Sequence, residues 1–329
     1  MADPSLEADI KSRLAVVESE LADAVQLDEG MLDDPTPLAE SAAYLLAAGG
    51  KRFRPMMVLT AGYFGNPMDE RLISGSVAME LTHLASLYHD DVIDEADSRR
   101  GTPSANTRWS NTIAILTGDF LFARASEMMA ALGVEPTRIL ASTIATLTDG
   151  QIREVSVAGR TDQSVEFYMG TIRRKTSALI AASARLGGLL SGASDEHLDT
   201  LEAFGEEVGT AFQLSDDIMD LTSSADVLGK EPGVDLKEGV YTLPVLDALA
   251  RGGASGELIA LLADGPPQGE RVARTLELVL GNGSIERSRQ VVTDCVDRAL
   301  DLLDSLPESP ATPALRQLTE FLATRCGAR

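Results

Sequence analysis

Apolar residues recur three and four positions apart along almost the whole chain, the spacing of helix faces turned toward a core. The pattern predicts helices near residues 5–27, 37–48, 55–64, 69–94, 111–132, 136–158, 164–191, 195–222, 241–251, 256–263, 268–281, 284–305 and 312–325. The breaks carry helix-ending residues: Gly49-Gly50, Gly65-Asn66-Pro67, Gly101-Thr102-Pro103, Gly133 to Pro136, Gly229 to Gly233, Gly252-Gly253 and Gly265-Pro266-Pro267. No run of period-two alternation is long enough to predict a strand, so each break is read as a helix-to-helix turn. None is long or polar enough for a linker. The expectation is a single all-α domain over residues 1–329, with a smaller C-terminal helical lobe after residue 240 as its one elaboration. Residues 1–4 and 326–329 are expected to fray.

Two of these helices carry charge where a core helix should not. Asp90-Asp91-Val92-Ile93-Asp94 recurs as Asp216-Asp217-Ile218-Met219-Asp220, each time within an apolar segment. Helical spacing stacks Asp90 on Asp94 and Asp216 on Asp220, with Asp91 and Asp217 beside them. Each such like-charge pair costs roughly 0.2–0.5 kcal/mol, and Asp is a poor helix former. A cation relieves that repulsion, and hard oxygen ligands with room for water suit Mg²⁺ or Mn²⁺. Mg²⁺ usually completes its shell with phosphate oxygens, so the implied ligand is a diphosphate. In a chain with 51 acidic residues, a single Asp triplet is more often a solvated face or an N-terminal helix cap than a metal site. Repetition separates the two readings: Asp33-Asp34 runs into Pro35 with no third Asp, and only the two apolar sites carry the full pattern.

Composition narrows the class. The chain has 329 residues, 51 of them acidic and 28 basic, for a formal net charge of −23 that disfavours nucleic acid or an anionic lipid surface as the main partner. Aromatics at 4% fit helices better than sheets. Cys295 and Cys326 form neither a disulfide framework nor a zinc pattern, and a reducing, cytoplasmic setting is expected. The first residues lack the basic start and apolar core of a secretory signal. No apolar run reaches the roughly 20 residues of a membrane span, so the protein is expected to be soluble or peripheral.

In so acidic a chain the cations are worth locating. Lys51, Arg52 and Arg54 follow Gly49-Gly50 and run into Pro55, which is expected to open the next helix. A glycine turn lets the backbone approach an anion, a helix N-terminus favours it, and Lys and Arg add charge-assisted hydrogen bonds. Arg99 and Arg100 follow the first Asp run, Arg173-Arg174-Lys175 lie midway, and Lys230 follows the second run.

Taken in order, Gly-Gly-Lys-Arg-Phe-Arg-Pro, His-Asp-Asp-Val-Ile-Asp with its Arg-Arg-Gly, Lys175-Thr176, Phe212-Gln213 through Asp220, and Asp235-Leu236 through Thr242-Leu243-Pro244 resemble the trans-polyprenyl diphosphate synthases from about residue 40 to 250. The resemblance implies an all-α bundle around a deep central cavity, a homodimer, and Mg²⁺ held by two Asp-rich helices. It makes Asp90, Asp94 and Asp216 the principal metal ligands, supported by Asp91, Asp217 and Asp220. Arg99, Lys175 and Lys230 match the family's cations for the allylic diphosphate, with Thr176 and Gln213 lining that site. Lys51, Arg54, His83 and Arg100 match the isopentenyl diphosphate site. The catalytic set so implied is Asp90, Asp94, Asp216, Lys175 and Arg99. His89 is read as structural and Phe212 as core.

Two departures stand out. The family's Gly-Lys-x-Thr-Leu-Pro reads Gly239-Val240-Tyr241-Thr242-Leu243-Pro244 here, which removes a phosphate-binding Lys and leaves Lys237 as the nearest substitute. The family's Gly-Glu-x-x-Gln reads Gly150-Gln151-Ile152-Arg153-Glu154, with acid and amide exchanged. Product length is expected to depend on Ala85 and Ser86, one turn before Asp90, where short-chain members place aromatics. A turn of about 5.4 Å is close to one isoprene unit, and an open channel past Leu81 and Thr82 implies on the order of six to ten units. Phe120 or Phe122 is the expected deeper floor. The rival readings are a class I terpene cyclase, which has no second diphosphate to bind at Gly-Gly-Lys-Arg-Phe-Arg, and a non-catalytic subunit of a heteromeric synthase, which generally loses Asp-rich motifs.

Overall fold

The computed structural model describes residues 4–26, 37–223, 232–251 and 255–329. Helix dominates: α1 (Pro4–Ala24), α2 (Pro37–Ala47), α3 (Phe53–Ala61), α4 (Arg71–Ile93), α5 (Ala105–Arg108), α6 (Asn111–Leu132), α7 (Val134–Val157), α8 (Val165–Ile172), α9 (Ala178–Ser191) and α10 (Asp195–Thr222). Then come α11 (Val234–Glu238), α12 (Leu243–Ala250), α13 (Ser255–Leu262), α14 (Glu270–Gly281), α15 (Ser284–Ser305) and α16 (Thr312–Arg325). The helices expected over 111–132, 284–305 and 312–325 form with those bounds.

Three local expectations are corrected. The break at Gly101-Thr102-Pro103 is not a helix-to-helix turn but part of an antiparallel hairpin, β1 (Ser98–Arg99) with β2 (Thr102–Pro103). Strands of two residues are too short for any alternation to announce them. Pro55 stands third in α3, not first, where its missing N–H still costs nothing because first-turn amides have no helical acceptor. The stretch 164–191 is broken by a π-helical turn at Arg173–Ser177, between α8 and α9.

The chain divides into two compact units. The first comprises residues 1–144, 182–202 and 307–313, and α4 is its centre. From Gly75 to Thr82 every residue of α4 is buried, the mark of a helix packed on all sides. Leu72, Met79, Leu81 and Leu84 are fully enclosed, each worth roughly 1.5–3 kcal/mol. The buried hydroxyls are satisfied by the helix itself, Ser76 Oγ donating to the Leu72 carbonyl at 2.7 Å and Thr82 Oγ1 to Ala78 at 2.8 Å. Helix α6 lies along α4 with Gly118 directly against the His89 imidazole, where a Cβ would collide with the ring. His89 Nε2 meets the Ile115 carbonyl at 3.1 Å, and its ring lies 5.6 Å from that of Phe122, so His89 serves packing.

The second unit comprises residues 145–181, 203–306 and 314–329. Small residues let its helices meet backbone to backbone around the π turn. A Cβ on Gly209 would stand 2.6 Å from Ser177 Cα, and one on Gly150 2.6 Å from the Lys175 amide nitrogen. Such turns insert an extra residue and re-aim the side chains that follow. Lys175 and Thr176 accordingly reach different helices, Glu154 on α7 and Gln213 on α10.

Candidate active site

In the first unit, Asp90 and Asp91 occupy the last turn of α4, and Asp94 is its C-cap, with its amide bonded to the Asp90 carbonyl at 2.8 Å. Asp90 is half-buried, Asp91 fully buried and Asp94 exposed. The hairpin that follows turns through Arg100 (φ 53°) and Gly101 (φ 77°), the paired left-handed conformation of a two-residue hairpin loop. That turn separates the two arginines. Arg99 folds back on Asp91, Nε and Nη2 both 2.6 Å from Oδ1, while Oδ2 is buried without a hydrogen-bond partner. Burial raises the Asp91 pKa, and Arg99 opposes the rise.

Arg100 turns the other way. Its Nη1 donates to the Gly49 carbonyl and, at 3.1 Å, to Leu45. Gly49 has φ +83°, and a Cβ on Gly50 would lie 3.2 Å from the Arg100 guanidinium carbon, so the glycine pair makes room for the arginines. Lys51 is exposed and Arg54 half-buried, with its pKa lowered to about 10 by desolvation, which leaves it cationic at neutral pH. His83 stands among these groups, its pKa held well below the ordinary imidazole value by burial and then by Arg54, Arg100, Arg99 and Arg52. It is therefore a neutral ring within a cationic cluster. Lys51, Arg54, His83 and Arg100, expected together, all belong to this unit, and the last three share one electrostatic environment. Arg52 belongs to the scaffold instead: it is buried, with Nε and Nη2 on Glu18 at 2.6 and 3.1 Å and Nη1 on Glu80 at 3.1 Å.

In the second unit, Asp216, Asp217 and Asp220 all lie within α10. Asp217 is 2% exposed and accepts from the Tyr168 hydroxyl and from Gln213 Nε2 at 2.9 Å. Thr176 Oγ1 donates to Gln213 Oε1 at 2.8 Å, which extends the chain of bonds from the π turn to the acid. Burial, then the neighbouring Asp235, pushes the Asp217 pKa well above the ordinary carboxylate value. Asp220 accepts the Asp235 amide at 3.3 Å. Lys175 pairs with Glu154 on α7. Arg325, on the last turn of α16, contacts Asp216 and donates to Ser215 Oγ at 2.6 Å. Val240, where the Lys was expected, lines a pocket with Glu154, Tyr168 and Tyr241, and Lys237 is half-buried on α11. Lys230 lies outside the described residues.

The profile of the polyprenyl synthetase family matches residues 35–279. The chain belongs to that family. The synthetase is 41% identical over 292 residues to nonaprenyl diphosphate synthase of Mycobacterium tuberculosis, covering 88% of this chain and 87% of that protein. It is 45% identical over 316 residues to heptaprenyl diphosphate synthase component 2 of Geobacillus stearothermophilus, covering 95% of each. Its fold matches the geranylgeranyl pyrophosphate synthase of Corynebacterium glutamicum, solved with calcium and isoprenyl diphosphate, at TM-score 0.86, 41% identity and 98% coverage of both chains. The synthetase is thus an all-α prenyltransferase of isoprenoid biosynthesis.

The donor set of the synthetase fits a hard divalent cation: its motifs offer only carboxylate oxygens, one of them, Asp91 Oδ2, buried without a hydrogen bond. Among the described residues no three acids, imidazoles or thiols gather tightly enough to cage an ion. Of the residues expected to control product length, Ala85 and Leu81 are fully buried, and Ser86 Oγ donates to the His83 carbonyl at 2.8 Å. Phe120 and Phe122 are half-buried, and Phe122 packs on His89, next to Asp90 rather than deeper along α4. Glu80, Tyr168 and Arg325 escaped the sequence reading. Only Glu80 had a legible signal, an acid inside the apolar run Val77 to Leu81 of a helix buried all round.

Proposed function

We propose that the chain condenses isopentenyl diphosphate with an allylic diphosphate in trans and repeats the step to a long-chain polyprenyl diphosphate of the quinone side-chain type, with residues 1–329 acting as one synthase domain. The observation that carries this reading is two kinds of anion site in one unit. Asp90, Asp91 and Asp94 offer metal-type oxygens, whereas Lys51, Arg54, His83 and Arg100 form a cationic site with no carboxylate among them. A terpene cyclase needs only the first kind. Asp90, Asp94 and Asp216 would hold Mg²⁺, which supplies positive charge to the departing diphosphate. Arg99 and Lys175, with Thr176, Gln213 and Lys230, would orient the allylic diphosphate. Neutral His83 can donate one hydrogen bond to a phosphate oxygen, and the cations around it supply the charge. Ionisation of the allylic C–O bond leaves a carbocation that the isopentenyl double bond attacks, and loss of a proton restores the alkene. The released diphosphate takes that proton, and no protein base is assigned to the step.

Ala85 is fully buried and Ser86 half-buried, and it is the small size of these side chains one turn before Asp90 that favours a product on the order of six to ten units, one turn of about 5.4 Å per unit. Relatives named for nona- and heptaprenyl products agree, while the geranylgeranyl-named structure sets the shorter alternative. Incubation with Mg²⁺, isopentenyl diphosphate and farnesyl or geranylgeranyl diphosphate, followed by chromatography of the dephosphorylated products, tests this directly. Ala85→Phe should shorten the product to three or four units while Mg²⁺ dependence persists, since a benzyl group fills the channel without touching the carboxylates. A wild-type product that stops at three or four units with isopentenyl diphosphate in excess would overturn the open-channel reading.

The assembly proposed is a homodimer in the cytoplasm, peripheral to a membrane at product release. Exposed Ile115 and Leu116 on α6 offer apolar surface, the buried cysteines are free thiols, and among the described residues no helix is long and apolar enough to cross a membrane. A relative named component 2 favours a heteromer as the second reading. Light scattering on the chain alone, together with its turnover alone, decides between them: an inactive monomer would point to a missing partner subunit.

A further inference from the structure

Glu80 is 1% exposed in the most enclosed stretch of α4 and three residues before His83. One carboxylate oxygen accepts from Arg52 Nη1 at 3.1 Å, and the other, Oε2, is buried with no hydrogen-bond partner. A buried anion costs several kcal/mol unless opposite charge surrounds it. Here the surrounding charge is the cationic cluster: Arg52 Nη1 lies 3.1 Å from Glu80, a Cβ on Gly50 would meet both that nitrogen at 2.7 Å and the Arg100 guanidinium carbon at 3.2 Å, and Arg54 shares the field of the carboxylate. Arg52 is already neutralised from its other side by Glu18, whose two oxygens take Nε and Nη2. The field of Glu80 is therefore left to act on Arg54, whose own Nε is buried and without a hydrogen bond, and on Arg100. Without an acid beneath them, these guanidiniums, together with Lys51 and Arg99, would repel one another in the free protein.

We infer that Glu80 is a positioning residue for the diphosphate of the isopentenyl substrate, a buried counter-anion that holds Arg54 and Arg100 in their binding arrangement before the ligand arrives. The inference rests on the assignment of that substrate to the Lys51, Arg54, His83 and Arg100 cluster. Preorganisation of this kind lowers the reorganisation needed on binding and leaves the reacting carbons untouched.

Simple electrostatics gives the opposite expectation for a substitution, which makes the test decisive. Removing a negative charge beside an anion site should tighten binding by charge alone, whereas loss of a positioning group should weaken it. For Glu80→Gln, which keeps the shape and the oxygen facing Arg52, the expected result is a rise of about tenfold in KM for isopentenyl diphosphate, equivalent to roughly 1.4 kcal/mol. The KM for the allylic primer and kcat should change less than about twofold, because an equal loss on both substrates is what mere destabilisation produces. An unchanged or lower KM for isopentenyl diphosphate, or an equal rise for both substrates, overturns the inference. Lys51→Ala, an exposed change, is measured in parallel. If it raises that KM and Glu80→Gln does not, the site stands and the positioning role falls. If Lys51→Ala and Arg54→Ala both leave it unchanged, the site assignment falls and takes the role with it. Should Glu80→Gln fail to fold, Arg52→Gln combined with Glu80→Gln removes the buried pair together. A KM still raised selectively supports the inference, and a normal one overturns it.

Discussion

Asp91 and Asp217 hold the same place in two identical acidic patterns, yet one is gripped by a guanidinium and the other by a phenol and an amide. The first pattern closes a helix: α4 ends at Ile93, Asp94 is exposed at the cap, and Arg99 returns from a hairpin to neutralise Asp91. The second lies within α10, with Asp217 and Asp220 enclosed at 2% and 4% exposure and Asp235 close enough to raise the Asp217 pKa. One motif carries its counter-charge on a loop. The other surrounds its middle acid with neutral dipoles, which satisfy hydrogen bonds but do not cancel charge. A shared pattern thus fixes which oxygens are offered and leaves the electrostatic work of holding them to unrelated neighbours.

The largest effect should come from the residues on which the two motifs are equivalent. Asp90→Ala and Asp216→Ala should each lower turnover by about 1000-fold or more at saturating Mg²⁺, since each deletes a proposed metal ligand. Thermal stability without metal should hold or rise in Asp90→Ala, because a stacked carboxylate is gone, and should fall in Asp216→Ala, which strips the largely buried Arg325 of its partner. Near-normal steady-state rates in either variant would end the claim that both motifs serve one metal chemistry.

The partners should then separate them. Arg99→Ala removes both the counter-charge of Asp91 and a proposed phosphate contact, and should cost about 100-fold in kcat/KM. Tyr168→Phe removes one neutral hydrogen bond to Asp217 and should cost about tenfold at most. If the phenylalanine variant proves the more damaged, charged and neutral support have been ranked in the wrong order.

The smallest effect concerns stability without metal. The folded pKa of Asp217 lies above its unfolded value of about 3.9, so the native state binds the extra proton. Its ionised form therefore weakens the fold at neutral pH, and that penalty is relieved as pH falls toward about 4. Asp217→Asn should raise the metal-free Tm near pH 7 by about 2 °C or more and flatten this part of the pH profile. Asp91→Asn should gain less, because Arg99 already opposes the rise. Equal gains in the two variants would erase the electrostatic difference between the motifs.

Helix α6, α15 and α16 were legible to the residue because burial on one face imposes a 3.6-residue period that any long amphipathic helix must show. The acidic runs were legible because repetition in an apolar setting is hard to explain otherwise. The hairpin at residues 98–103 was not, since two-residue strands leave no period, and it is this hairpin that sends Arg99 to Asp91 and Arg100 to Gly49. Arg52 read as one more cation for phosphate, and only packing against Glu18 and Glu80 makes it part of the scaffold.

By itself the sequence determined the helical class, the two sets of carboxylates and the stock of cations, because periodicity, spacing and charge are properties of neighbours along the chain. Tertiary structure alone decided which cation each acid meets: Arg99 at Asp91, Arg325 at Asp216, Lys175 at Glu154 and Arg52 at Glu80. Pairing depends on distances of a few ångströms between residues from 8 to 109 positions apart. Those distances are set by how helices pack and by where a turn leaves its helix, and no local pattern encodes them.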